Sequence, residues 1–115
     1  MANIVYLDDE KCLTDIFELV FEDSAHTIIT FNHENDAIKH CQQSPPDIFF
    51  VDYRLESMLG DAVAHQLPHG IAVVLVTGDL KIESDFIFSH IINKPFKLDE
   101  LVNVVEKLGA NKHEN

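Results

Sequence analysis

What this chain has little of narrows its class first. Only two cysteines, Cys12 and Cys41, stand in 115 residues, and no CxxC pair is formed. Neither a disulfide scaffold nor a zinc finger can be built from them, and both read as small residues inside helices. Seven histidines fall without an HExxH pattern, which removes that zinc hydrolase layout. Cations are scarce: eight Lys and Arg face 20 Asp and Glu, a formal charge of −12. Such a surface repels a phosphate backbone and argues against nucleic acid as a partner. It suits a cation, or a basic patch on another protein. No apolar run approaches the ~20 residues that cross a bilayer. Met1-Ala2-Asn3 lacks the basic start and long apolar stretch of a secretory signal. We therefore expect a cytoplasmic protein with no membrane partner.

Hydrophobic residues make up 46% of the chain, enough for one domain with a core of its own. The most ordered stretch is Ile48-Phe49-Phe50-Val51-Asp52, entered through Ser44-Pro45-Pro46. A short unbroken apolar run of this kind is a strand buried on both faces. Asn3 to Leu7 and Ile71 to Val76 have the same character, His26 to Phe31 is β-branched, and His90 to Asn93 is a short fifth strand. Between them lie helical spacings: Leu13, Ile16, Phe17, Val20 and Phe21, then Ala37, Ile38 and Cys41, and finally Leu101, Val102, Val105 and Leu108. A short third helix carries Ala62, Val63 and Leu67. Leu80 to Phe88 is too mixed to assign. Gly109 is a C-cap candidate, so a domain over 1–109 and a short polar tail over 110–115 are expected. Strands alternating with helices predict an α/β fold, a parallel sheet covered on both faces.

All carboxyl ends of such a sheet point one way, and four of them end in chemistry. They deliver Asp8 and Asp9, Asp52, Thr77, and Lys94. One acidic residue after a strand is readily explained as a helix cap, and Asp8 or Asp9 could cap the first helix. Three carboxylates together are not so explained, because each pair at ~4 Å repels by roughly 4 kcal/mol at an effective dielectric near 20. A hard cation relieves that repulsion, and Mg²⁺ favours a few carboxylates with waters. A carboxylate nucleophile, a cation, a hydroxyl and a lysine describe phosphoryl transfer onto Asp.

In these residues the chain resembles the receiver domain of two-component response regulators. The acidic pair Asp8-Asp9, then Asp52, Thr77 and Lys94-Pro95 match in order, each after a strand, and Leu55 and Gly60 fit the loop after the acceptor. The resemblance covers essentially the whole chain. It implies a flavodoxin-like, doubly wound five-stranded parallel sheet of order 2-1-3-4-5. It implies Asp52 as phosphoacceptor, Thr77 and Lys94 as partners of the phosphoryl oxygens, and a cis peptide before Pro95. Mg²⁺, or Mn²⁺, would be held by Asp9, Asp52 and the backbone carbonyl of Arg54, with Asp8 holding a metal-bound water. The donor would be a sensor histidine kinase or a histidine phosphotransfer protein, and the output an unidentified downstream protein or a homodimer. Such a domain catalyses only its own phosphorylation and dephosphorylation.

The chain also departs from that pattern. The segments from Asp52 to Thr77 and from Thr77 to Lys94 are short, so the third helix should be trimmed and the fourth short, distorted or absent. Ile91 stands where many receivers carry a switch Tyr or Phe, Glu56 replaces a common Pro, and Leu59 a common Asp. Arg54 and Asp79 are expected to face each other over the pocket as an ion pair that slows dephosphorylation. With no output domain after Leu108, a stand-alone receiver acting through a partner is expected. A receiver-fold interaction module that works without phosphorylation is the alternative. A flavodoxin-like cofactor binder would need a Gly/Ser/Thr-rich cradle after the first strand, where Asp8-Asp9-Glu10 stands.

Overall fold

The structure is a computed structural model that describes residues 1–113, with side chains described through Gly109. Five strands and four helices occur among the described residues: β1 Asn3–Leu7, α1 Lys11–Val20, β2 Thr27–Phe31, α2 Glu34–Gln43, β3 Ile48–Asp52, α3 Gly60–His65, β4 Ala72–Thr77, β5 His90–Asn93 and α4 Leu98–His113. The strands form one parallel sheet of order β2-β1-β3-β4-β5, the flavodoxin-like order that the resemblance implies.

Alternation along the strands splits the core in two. Ile4, Tyr6, Ile48, Phe50, Val74 and Val76 pack against Phe17 and Phe21 of the α1 side and Leu101, Val104 and Val105 of α4. Val5, Leu7, Phe49, Val51, Val73 and Leu75 pack against Ala37, Ile38 and Cys41 of α2 and Val63 and Ala64 of α3. Every residue of β3 is buried. Its four apolar side chains each contribute about 1.5 to 3 kcal/mol by leaving water. This central strand therefore fixes Asp52 on a rigid support.

Some expectations need correction. Neither Asp8 nor Asp9 is the N-cap of α1; Glu10 is, without a side-chain cap bond. Gly109 does not end the last helix, which continues through residue 113. Gly109 is buried beside Ala2, so docking of the helix outweighs the ~1 kcal/mol that glycine costs inside one. Of the expected tail, residues 114 and 115 lie outside the described residues. Val102 is exposed and Val104 takes its expected place in the core. Ile16 is also partly exposed, at 39%, beside Leu13, Pro95, Phe96 and Leu98 in an apolar groove.

Between β4 and β5 no helix forms among the described residues. Ile82, Phe86 and Phe88 instead pack on the α2/α3 side of the core. Phe86 meets Phe88 at 4.9 Å and His65 at 5.2 Å between ring centroids. Three apolar anchors in an irregular, helix-free segment cover this side of the core. Leu80 and Ile87 are left outside, at 102% and 92% exposure.

Candidate functional site

Strand register builds the site. Leu7 pairs with Val51, so the next residues, Asp8 and Asp52, leave neighbouring strands side by side. This is also where the strand order reverses, the crevice at which open α/β sheets place ligands. Thr77 pairs with Asn93, and the Lys94 N–H donates to the Thr77 carbonyl at 2.7 Å. The Lys94–Pro95 peptide is cis.

One oxygen from each of Asp8, Asp9 and Asp52 lies within 4.8 Å of the others. Asp8 and Asp52 are buried and Asp9 is exposed. Lys94 bridges the two buried carboxylates, its Nζ 3.1 Å from Asp8 Oδ2 and 3.1 Å from Asp52 Oδ1. Burial raises Asp52 to a pKa of about 6 and Asp8 adds to the rise, while Lys94 opposes it. Asp9 is raised as well, by burial and then by Asp8. Burial works against the Lys94 ammonium, but the two carboxylates raise its pKa overall. A single lysine thus leaves the three carboxylates incompletely compensated. Hard oxygen donors in excess negative charge, partly open to solvent, fit a divalent cation with waters.

Thr77 is 1% exposed, and its Oγ1 accepts the Asp79 N–H at 3.0 Å. The hydroxyl proton remains a donor for a ligand. Asp9, Asp52, Arg54, Thr77, Asp79 and Lys94 line one cleft of about 340 Å³. Arg54 and Asp79 do face each other across it, as expected. Arg54 Nη2 lies 2.8 Å from Asp79 Oδ2, and its Nε donates at 3.1 and 3.2 Å. The residues proposed from sequence as carboxylates, hydroxyl and lysine are therefore brought together. The Arg54 backbone enters the rim two residues past Asp52, paired with Leu59 in an isolated bridge.

The sequence profile of the response regulator receiver domain matches residues 4–106. The chain belongs to the response regulator receiver family. Solved receivers share its fold at low identity. The signal receiver domain of an HD domain-containing protein from Pseudomonas fluorescens is 16% identical, with a TM-score of 0.89 over 98% of each chain. Vibrio cholerae CheY4 is 18% identical, with a TM-score of 0.79, covering 94% of this chain and 98% of its own. The response regulator TrrA from Thermotoga maritima, solved with Mg²⁺ and BeF, is 23% identical, with a TM-score of 0.83, covering 94% and 99%. Comparison with curated proteins finds no significant match.

Two residues of this receiver site escape sequence reading. Tyr6 donates its phenol proton to Asp8 Oδ2 at 2.5 Å. Period two along β1 puts Tyr6 and Asp8 on one face, and that signal was there to find. Glu34, at the start of α2, is 4% exposed and accepts the Ser57 N–H at 2.6 Å. It ties α2 to the loop after Asp52. No sequence pattern pairs these distant segments.

Burial raises the Glu34 pKa, but hydrogen bonds from its own backbone, Ser57 and Met58 overcome this and lower it overall. A lowered folded pKa means stability present above the unfolded value near 4.5 and lost as pH falls through the folded one. Glu34→Gln should therefore cost about 1 to 2 kcal/mol at pH 7 and less at pH 3. Urea melts of both proteins at the two pH values measure this.

Proposed function

We propose that this receiver accepts a phosphoryl group on Asp52 in a Mg²⁺-dependent reaction and signals through a partner protein. The observation that carries the proposal is Lys94 shared between buried Asp8 and Asp52, beside a third carboxylate and a buried threonine hydroxyl. A cation held by Asp9, Asp52 and the Arg54 carbonyl, with Asp8 on a bound water, would offset charge on the acceptor and the transferring group. This chain's own groups supply the rest. Asp52 forms a P–O bond as the P–N bond of a phosphohistidine breaks, its electron pair leaving with the imidazole. Thr77 donates its hydroxyl to one phosphoryl oxygen, and Lys94 turns from the carboxylates to another.

The apolar groove of Leu13, Ile16, Pro95, Phe96 and Leu98 shares Glu10 and Lys94 with the cleft. That continuity supports docking of the donor, a histidine kinase or histidine phosphotransfer protein, on this face. Free Cys12 and Cys41 accord with a reducing cytoplasm. The test is intact-mass spectrometry after treatment with acetyl phosphate and Mg²⁺. One acid- and base-labile phosphoryl adduct is expected, absent when EDTA is present from the start. Absence of the adduct with both acetyl phosphate and histidine-kinase donors would overturn the proposal.

The Arg54–Asp79 pair should govern the lifetime of that adduct. Arg54 is 69% and Asp79 27% exposed at the side chain, so solvent screens the pair and it adds little to stability. Its effect is kinetic, as a cover against attacking water. Arg54→Ala should shorten the phospho-Asp52 half-life severalfold with little change in melting temperature. Following adduct decay after donor removal measures it, and an unchanged half-life would remove the pair from the mechanism.

A second reading, an interaction module independent of phosphorylation, is favoured by the helix-free β4–β5 connection and by Ile91, which lies 46% exposed on β5. Under it, Asp52→Asn leaves partner binding unchanged.

A further inference from the structure

Tyr6 is fully buried in β1, its ring enclosed by aromatic neighbours. The centroids of Phe17 and Phe50 lie 4.7 and 6.4 Å away, and Phe17 continues to Phe21 at 5.0 Å. Phenylalanine is the packing residue of this cluster, so the ring of Tyr6 is explained by packing and its hydroxyl is not. A buried phenol needs a partner, and this one donates to Asp8 Oδ2 at 2.5 Å. A phenol carries its proton at neutral pH, and a carboxylate oxygen can only accept, so Tyr6 is the donor of this bond.

Asp8 is held on every side. Its Oδ1 accepts the Glu10 N–H at 3.0 Å, its N–H donates to the Phe31 carbonyl at 3.1 Å, and its carbonyl accepts from Asn32 Nδ2 at 2.8 Å. Oδ2 receives two donors, the Tyr6 phenol and the Lys94 ammonium at 3.1 Å. They differ in kind. Lys94 ends a flexible stem and is shared with Asp52, whereas Tyr6 is locked into the core with no other place for its proton.

We propose that Tyr6 is a positioning residue for cation binding: its phenol fixes the Asp8 carboxylate and keeps it satisfied when Lys94 turns to another anion. This rests on Asp8, Asp9 and Asp52 forming the Mg²⁺ site proposed above. Without the phenol, the Asp8 carboxylate is held only by the Glu10 N–H and by Lys94. Its Oδ2 then depends on Lys94 alone, and Lys94 is held back at Asp8. Outer partners that orient metal-site carboxylates change affinity by about 10- to 100-fold.

Tyr6→Phe removes one oxygen and leaves the ring. Calorimetric titration with Mg²⁺ alone should show affinity weakened about tenfold. In an Asp8→Asn background the same substitution should weaken it no further, because the phenol acts through the carboxylate. Unchanged affinity in Tyr6→Phe, or additive losses in the double variant, would overturn the proposal and leave Tyr6 a core residue. A parent protein that binds no Mg²⁺ would instead overturn the metal site itself. Should Tyr6→Phe fail to fold, the parent carries the test by ¹³C NMR of its two tyrosines, with Tyr53→Phe assigning the signals. The Tyr6 Cζ resonance should shift on adding Mg²⁺, and a resonance that stays in place would overturn the proposal.

Discussion

Asp52→Asn should abolish the phosphoryl adduct and, in the absence of metal, make the protein more stable. Loss of the adduct follows from removing the nucleophilic oxygen, since a neutral amide does not attack phosphorus. The gain in stability follows from the same geometry seen without its ligand. Burial and Asp8 raise the Asp52 pKa from 3.8 to about 6, so at pH 7 the folded state holds a charge it disfavours. A shift of this size, already net of the opposing Lys94, corresponds to roughly 3 kcal/mol, of which about 2 should be recovered because the amide that replaces the carboxylate must itself be buried. For a chain of this length that is roughly 8 °C in Tm. The sign with pH is fixed. A carboxylate whose folded pKa is raised destabilises the fold above that pKa and no longer does so below the unfolded value. The difference between parent and Asp52→Asn should be full above pH 6, shrink between about 6 and 3.8, and vanish below. Thermal melts in EDTA across this range measure it. If Asp52 is a ligand as proposed, excess Mg²⁺ should reverse the order at neutral pH, since only the parent retains that carboxylate. An Asp52→Asn protein less stable than the parent in EDTA would show that Lys94 fully compensates the site.

Gly60→Ala should be the most damaging conservative change in the loop after the acceptor. A Cβ on Gly60 would stand 2.5 Å from the Asp52 carbonyl oxygen and 3.1 Å from Tyr53 Cα. Both are backbone atoms at the end of β3, and no rotamer can relieve them. The Gly60 N–H also donates to the Tyr53 carbonyl at 2.7 Å, so moving α3 away would break the bond that closes this loop. Relief has to come from displacing the end of β3, which carries Asp52. Overpacking against fixed backbone costs about 3 kcal/mol, or roughly 12 °C in Tm at this size. A displacement of 1 Å at a reacting group can cost about 100-fold in rate. Circular dichroism melts and the rate of adduct formation from acetyl phosphate report the two losses. Gly78→Ala is the internal control. It lies on the same cleft, yet an added Cβ meets nothing within 4 Å, and stability should stay within about 0.5 kcal/mol of the parent.

The features most legible in the sequence are those fixed by strand continuity. β1, β3 and β4 are buried on both faces, so each reads as an apolar run with its chemical residue directly after it or at its end. Asp8, Asp52 and Thr77 could therefore be placed on one rim from sequence, with Lys94 joining them as the residue after a short, less buried fifth strand. The expected opposition of Arg54 and Asp79 also depends only on position past neighbouring strand ends, and the two side chains do meet. Element ends were less legible. Glycine at 109 is a stop signal in local chemistry, but the last helix is held by Leu101, Val104 and Val105 in the core and runs on.

By itself, then, the sequence determined the α/β class, the sheet's interior strands and the identity of the groups on its rim. All of these depend on spacing along a strand or around a helix. The tertiary structure alone decided what those groups do to one another. It set Lys94 between two carboxylates, laid Ile82, Phe86 and Phe88 where a helix was in doubt, and joined Glu34 to Ser57 across the fold. Pair distances between residues far apart in sequence are set by packing of the whole chain, and local periodicity carries no record of them.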